Sequence, residues 1–255
     1  MEDYINYLNN NFDRIYLITL RRAVDRKAHY EQELKGLHYT VFYGQDKEEF
    51  DVEELIKQNI YNKELAMKNH RYGKTMPAGM IGCSWSHQLV YKDIIKNNYK
   101  KALILEDDVV IDQETIPLLR QAFTELPADW ELVYLGFAAN ESGPSNAFFK
   151  KAFYHLLRSF KAIKYSHKTI NNLYPKKITE HVYKSGYHDC THAYAITFSA
   201  AEKLLKHQTP ISFFPDNLLA YAATNEIIKA YIILPKLINQ QYQVSGQSVH
   251  SYINQ

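Results

Sequence analysis

Three adjacent carboxylates, Glu106, Asp107 and Asp108, follow four apolar residues, Ala102 to Leu105. This arrangement concentrates negative charge at the C-terminal end of a strand, the edge at which open α/β sheets bind ligands. Three anions this close repel one another unless a cation or hydrogen-bond donors compensate them. A hard divalent ion meets that need, because Mn²⁺ and Mg²⁺ favour carboxylate oxygens and substrate phosphates. An acidic strand end exposed to water, with one Asp capping a helix, satisfies the same three letters, so context decides.

Other reactive side chains supply that context. Arg21, Arg22, Arg26 and Lys27 follow the apolar run that ends at Leu20. Guanidinium groups at a strand end can grip phosphate oxygens in bidentate fashion, although such runs are also the ordinary solvated first turn of a helix. His87 sits in Ser84-Trp85-Ser86-His87, where it is either a structural hydrogen-bonding group or a ligand. Asp216 follows Phe213-Phe214-Pro215. It is a general base raised by apolar neighbours, or a cap for the helix after Pro215. Neither GxGxxG nor GxxxxGK[ST] occurs, so neither a dinucleotide fingerprint nor a P-loop supports phosphate binding. No nucleophile elbow is present either.

The elements that must position these groups are legible in the periodicity. Arg14 to Leu20, Thr40 to Tyr43, Lys101 to Ile111, Glu131 to Leu135, Tyr194 to Phe198 and Tyr231 to Leu234 read as strands, the fourth closed by Gly136. Helices are expected over Asp25 to Leu37, from Asp51 with Glu54 as capping partner, over Met80 to Asn97, and over Ser199 to His207. Phe148 to Ile163 gathers Phe149, Phe153, Leu156, Leu157 and Phe160 on one side of an amphipathic helix. Strands separated by helices indicate a layered α/β sheet.

Composition bounds the rest. The 255 residues carry 30 basic and 28 acidic side chains, a net charge of +2, which argues against nucleic acid as the main partner. That average conceals three segments: residues 1–141 carry −6, residues 142–187 carry +8, and residues 188–255 are neutral. In the middle segment nine basic residues stand against Glu180 alone. No repeat or linker interrupts the chain, so one domain is expected, with the basic segment at about 142–187 as an insertion or lid. No stretch reaches the roughly 18 apolar residues of a membrane span. Residues 1–11 lack the pattern of a signal peptide, and the two cysteines form neither a disulfide framework nor a thiolate metal site. A cytoplasmic location is the expectation. Tyrosine is abundant, at 21, which suits polar ligand sites and equally reflects compositional habit.

Six segments together resemble glycosyltransferase family 25, the group of bacterial lipooligosaccharide and collagen galactosyltransferases. They are IYLITLRRAVDR from Ile15, GMIGCSWSH from Gly79, ALILEDDV from Ala102, WELVYLG from Trp130, AYAITFSAAEKLL from Ala193 and DNLL from Asp216. The resemblance covers roughly residues 14–141 and 188–245. The chain departs from it at Met80, Thr19 and Ala200, where many members carry Glu, Asn or Ser, and Gly. The family implies a GT-A type, Rossmann-like α/β/α sandwich with a mixed sheet. It also implies Mn²⁺ or Mg²⁺ on Glu106 and Asp108. A UDP-sugar would lie along Leu17, Thr19, Leu20, Arg21, Arg26, Gly82, Ser86, His87 and Asp107, with Asp216 as catalytic base toward the acceptor. The implied reaction is inverting transfer, of galactose by resemblance, to a hydroxyl of a glycan or glycolipid such as a lipooligosaccharide precursor. The basic segment 142–187 would give peripheral contact with an anionic membrane at its inner face. The alternatives are a non-catalytic nucleotide-sugar or carbohydrate-binding module of the same fold, or a metal-dependent phosphohydrolase or nucleotidyltransferase.

Overall fold

Successive side chains of the central strands point alternately into two cores, as the two-residue period of a strand requires. A computed structural model of the chain describes residues 2–245. In strand β1 (Arg14–Thr19), Ile15 and Leu17 enter one core while Tyr16 and Ile18 enter the other. Strand β3 (Lys101–Glu106) repeats the pattern with Leu103 and Leu105 against Ala102 and Ile104. Both faces are buried, so the strands read as continuous apolar runs.

The remaining elements, in chain order, cover those faces. Before the sheet comes helix α1 (Glu2–Asn11); after β1 come α2 (Lys27–Glu33), β2 (Tyr39–Tyr43), α3 (Val52–Lys57), α4 (Lys63–Asn69) and α5 (Ala78–Asn97). After β3 follow β4 (Val109–Ile111), α6 (Leu119–Glu125), β5 (Leu132–Ala138), α7 (Ala147–Ser159), α8 (His167–Asn171), β6 (Lys176–Lys177) and β7 (Val182–Lys184). The chain continues through β8 (Asp189–Thr197), α9 (Phe198–His207), α10 (Pro215–Thr224), β9 (Ala230–Ile233), β10 (Ile238–Gln240) and α11 (Gln241–Ser245). Helices α1, α2 and α6 contribute to the first core; α5, α9 and α10 contribute to the second. The result is an α/β/α sandwich, the fold class expected.

Among the described residues the main sheet has the order β2-β1-β3-β8-β5-β9-β7-β6. Strands β1, β2 and β3 are mutually parallel, as are β5 and β9, whereas β8 runs antiparallel to both β3 and β5. The mixed sheet therefore places the C-terminal ends of β1, β2, β3 and β5 beside the N-terminal end of β8. Strands β4 and β10 form a separate antiparallel pair.

Three local readings change. Lys101 to Ile111 is not one strand: Asp107 and Asp108 form a turn between β3 and β4. Three repelling carboxylates are better accommodated in a turn than in a continuous ladder. Gly136 does not close its strand but lies inside β5, at a break in register with β8. A Cβ there would stand 2.2 Å from both His192 Nε2 and the Ile238 carbonyl oxygen, so only glycine admits these neighbours. Helix α9 begins at Phe198 rather than Ser199 and is capped by Thr197, whose hydroxyl accepts from the Ala200 N–H. The Asp51 cap of α3 holds, accepting from the Glu54 N–H at 2.9 Å.

The basic segment joins the sheet. Strands β6 and β7 form a hairpin whose second strand pairs with β9. Helix α8 packs on α10 through a third small core that includes Ile163, Tyr165, Ile170 and Ala220. Hydrogen bonds from the Asn172 side chain to the Thr224 carbonyl and between Thr169 and Thr224 tie the two helices.

Candidate active site

The acidic turn lies at the C-terminal end of β3, and each carboxylate has a different set of partners. Asp107 is buried and accepts from the Arg26 guanidinium and, at 2.6 Å, from the Thr19 hydroxyl. Burial pushes its carboxyl up, against the pull of Arg26 and Thr19. Thr19 ends β1, so this pair ties the ends of two parallel strands together. Glu106 accepts from Thr191 at 2.7 Å and lies 3.4 Å from His87 Nε2. Burial opposes its ionisation, yet His87 and Thr191 hold the carboxyl below its ordinary value. The Asp108 side chain accepts from the Gln240 side-chain amide, 3.3 Å from each oxygen. Burial, and then the charges of Glu106 and Asp107, push Asp108 up to about 7.

Helix α5 brings its residues to this edge by close packing. A Cβ on Gly82 would stand 2.4 Å from the Gln45 carbonyl oxygen, so glycine lets the helix press against the loop after β2. Ser86 fastens the same contact: it donates to the Gly82 carbonyl and accepts from the Gln45 N–H. His87 is buried, with Nδ1 2.7 Å from the Tyr194 hydroxyl, which lies 3.0 Å from that of Tyr91. This chain of buried tyrosines fixes the imidazole so that Nε2 faces Glu106. Cys83, one turn before His87, brings its sulfur within 4.8 Å of the ligand atoms of His87 and Glu106. The sequence alone set both cysteines aside; the helical spacing of Cys83 and His87 is the signal that finds this cluster.

The other residues singled out fall at graded distances from the edge. Leu17 is wholly inside the core and acts through the position of β1. Leu20 is half-buried, its carbonyl accepting from the Ala23 N–H at 3.0 Å in the turn after β1. Arg21 is exposed, its guanidinium carbon 4.2 Å from the Tyr43 ring centroid. Arg22 pairs with Asp46 and Glu48.

Asp216 occupies the first turn of α10, but the cap position belongs to Phe214. Its carboxylate accepts from the Asn217 side chain at 2.9 Å and from the backbone N–H groups of Asn217 and Cys190. Cys190 adopts φ of 71°, a left-handed conformation uncommon for a residue with a side chain. Burial raises the Asp216 carboxyl, and the charge of Asp189 raises it further. Asp189, at the start of β8, is itself raised by burial and drawn down by Arg71. Burial pushes the thiols of Cys83 and Cys190 up, and the charges of Glu106 and Asp216 push both further.

Several groups at this edge were not visible as sequence signals. Asp189 and Thr191 lie in His188-Asp189-Cys190-Thr191-His192 and Gln240 in Asn239-Gln240-Gln241, polar runs with no spacing that marks one residue over its neighbours. Gln240 Oε1, beside Asp108, is buried without a hydrogen-bond partner among the described residues. Lys47 Nζ, in the loop after β2, is likewise buried without a hydrogen-bond partner among the described residues, although its charge acts on Asp46. An ammonium in that state is costly unless an anion meets it. His192 is pushed down to about 4 by burial and is therefore neutral near pH 7.

A family profile described as "Glycosyltransferase family 25 (LPS biosynthesis protein)" matches residues 12–219. Human procollagen galactosyltransferase 2 is 29% identical over 133 residues, covering 49% of this chain and 21% of that protein. The human protein named inactive glycosyltransferase 25 family member 3 is 26% identical over 132 residues, covering 49% and 22%. The chain thus spans about a fifth of the length of these relatives. The crystal structure of mouse xyloside xylosyltransferase 1 aligns with 86% of this chain and 70% of its own, at 9% identity and a TM-score of 0.41. The profile match extends through the acidic turn, the Gly82–His87 segment and Asp216, and on that extent the chain belongs to glycosyltransferase family 25.

Proposed function

We propose that the chain is a metal-dependent, inverting glycosyltransferase that moves galactose from UDP-galactose to a hydroxyl of a cell-surface glycan or glycolipid precursor such as lipooligosaccharide. The observation that carries this reading is the acidic turn: one carboxylate is neutralised by Arg26, and two are left for an outside cation. The donor set fits Mn²⁺ or Mg²⁺, because Asp108 is raised by burial and then by the charges of Glu106 and Asp107, and Gln240 Oε1 beside it lacks a hydrogen-bond partner among the described residues. Glu106 and Asp108 would hold the ion, which supplies charge stabilisation to a departing diphosphate.

The chain's own residues do the remainder. Arg26 and Thr19 fix Asp107, and so set the spacing of the strand ends along which the nucleotide would lie. Ser86 and Gly82 lock the β2 loop against α5, while His87 and Thr191 orient Glu106. Asp216, raised by burial and by Asp189, is the base that would take the proton from the acceptor hydroxyl. The acceptor would be met at the cytoplasmic face of an anionic membrane, with residues 142–187 in peripheral contact. Among the described residues no helix is long and apolar enough to cross a membrane.

Incubation with a panel of nucleotide sugars and Mn²⁺, with and without glycan acceptors, tests this reading. Nucleotide release from one UDP-sugar, lost in Asp108→Ala, is the expected result. Similarity to a relative named inactive favours one second reading, a binding module of the same fold. Binding of a nucleotide sugar without turnover on any acceptor would select it.

A further inference from the structure

Helix α7 is built the wrong way round for a helix that serves only its own fold. Its half-buried side carries Ala147, Tyr154 and Leu157, together with the polar residues Lys151, His155 and Arg158. Those polar groups are already engaged. Lys151 donates to the Asn171 carbonyl, Arg158 donates to the Tyr165 carbonyl, and His155 lies 3.0 Å from the Asn171 side chain. The opposite side carries Phe148, Phe149, Phe153 and Leu156, continued by Phe160, and these five are 53–78% exposed. Spacings of three and four residues put most of them on one stripe. Isolated exposed apolar residues are unremarkable, but a contiguous aromatic stripe marks an interaction surface.

Charge decides between occupants. Lys150 and Lys161 flank the stripe and are exposed. Beyond its C-terminal end lies an open cavity of about 510 Å³, lined by Arg158, Lys161, Lys164, Ser159, Ile163 and Tyr165. Three cations around one open cavity fit a phosphate group. A second copy docked on the same face would bring two segments of +8 together, with Glu180 as the only acid in each. Side chains that project this far also form a ridge rather than a groove. A ridge suits a medium that deforms around it.

We infer that α7 lies in the surface of an anionic phospholipid bilayer. Its aromatic stripe enters the acyl boundary, and its flanking cations and terminal cavity hold headgroup phosphates. This combination of an apolar stripe with Lys and Arg beside it is what an interfacial helix requires. The segment is seated on α10 by the small core containing Ala220, and α10 carries Asp216. Docking α7 therefore orients the acceptor side of the fold relative to the membrane. The inference deepens the acceptor reading proposed above.

Co-sedimentation of the full chain with phosphatidylcholine vesicles, with and without phosphatidylglycerol, tests it in the absence of donor and acceptor. Failure would thus leave the transfer reaction standing, and loss of transfer would leave docking standing. The chain is expected to partition onto the anionic vesicles, and high salt should weaken binding. Phe149→Ser with Phe153→Ser should lower partitioning about tenfold or more, since each ring leaves the acyl boundary. Lys150→Gln with Lys161→Gln should lower it while removing much of the salt dependence. Thermal melting should stay unchanged in both variants, because all four side chains face outward. Equal partitioning of the parent chain and the serine variant would overturn the inference. So would equal binding to neutral and anionic vesicles, or a dimer in light scattering that the serine variant abolishes.

Discussion

Asp108→Asn should stabilise the metal-free protein, by a gain that grows as pH rises from 3.8 and is complete above about 7. Asp108 carries a carboxyl raised to about 7 from an ordinary value of 3.8, by burial and by the charges of Glu106 and Asp107. A carboxyl whose folded value lies above its unfolded value costs nothing below the unfolded value. The cost grows as pH rises between the two and is complete above the folded value. At about 1.4 kcal/mol per pH unit, that window corresponds to a penalty of about 4 kcal/mol. Asparagine keeps an oxygen for the Gln240 amide and removes the charge. Urea denaturation in chelator should therefore show the variant more stable by up to about 4 kcal/mol near pH 8, the gain shrinking toward pH 5. Added Mn²⁺ should stabilise the parent chain near pH 8 and the variant far less. Parallel stability curves for the two proteins across that range would refute the claim that the acidic turn is charge-strained.

Three further outcomes follow from the geometry. Asp216→Asn should lower turnover about a hundredfold or more while leaving donor affinity within a few-fold, checked by pairing steady-state rates with calorimetric titration. Lys47→Ala should raise the KM for the donor with little change in kcat, since its buried ammonium has no hydrogen-bond partner among the described residues. Gly136→Ala should cost about 3 kcal/mol or more in urea denaturation, because the new methyl group meets the Ile238 carbonyl and cannot push backbone aside.

The strands that form the floor of the site are legible because their burial is two-sided and local. Ile15 to Ile18 and Ala102 to Leu105 are runs of Ile, Leu, Tyr and Ala, and the acidic triplet punctuates the second. Gly136 misleads because the atoms that demand glycine, on His192 and Ile238, come from remote strands. The hairpin of β6 and β7 is hidden by its lysines, which suit an exposed sheet edge as well as a solvated loop. For α7 the spacing groups the aromatic residues correctly but is silent on which side faces the fold. Within the site, Glu106, Asp107 and Asp108 announce themselves by adjacency. Asp189 and Arg71 meet only through folding, so their effect on Asp216 is invisible in one dimension.

Product analysis by NMR with UDP-galactose, Mn²⁺ and a glycolipid acceptor tests glycosyl transfer at this edge most directly. A new glycosidic linkage with inverted anomeric configuration is predicted from the parent chain, and none from Asp216→Asn that still binds donor. A linkage formed equally by Asp108→Ala and Asp216→Asn, or no transfer from any nucleotide sugar, would contradict it.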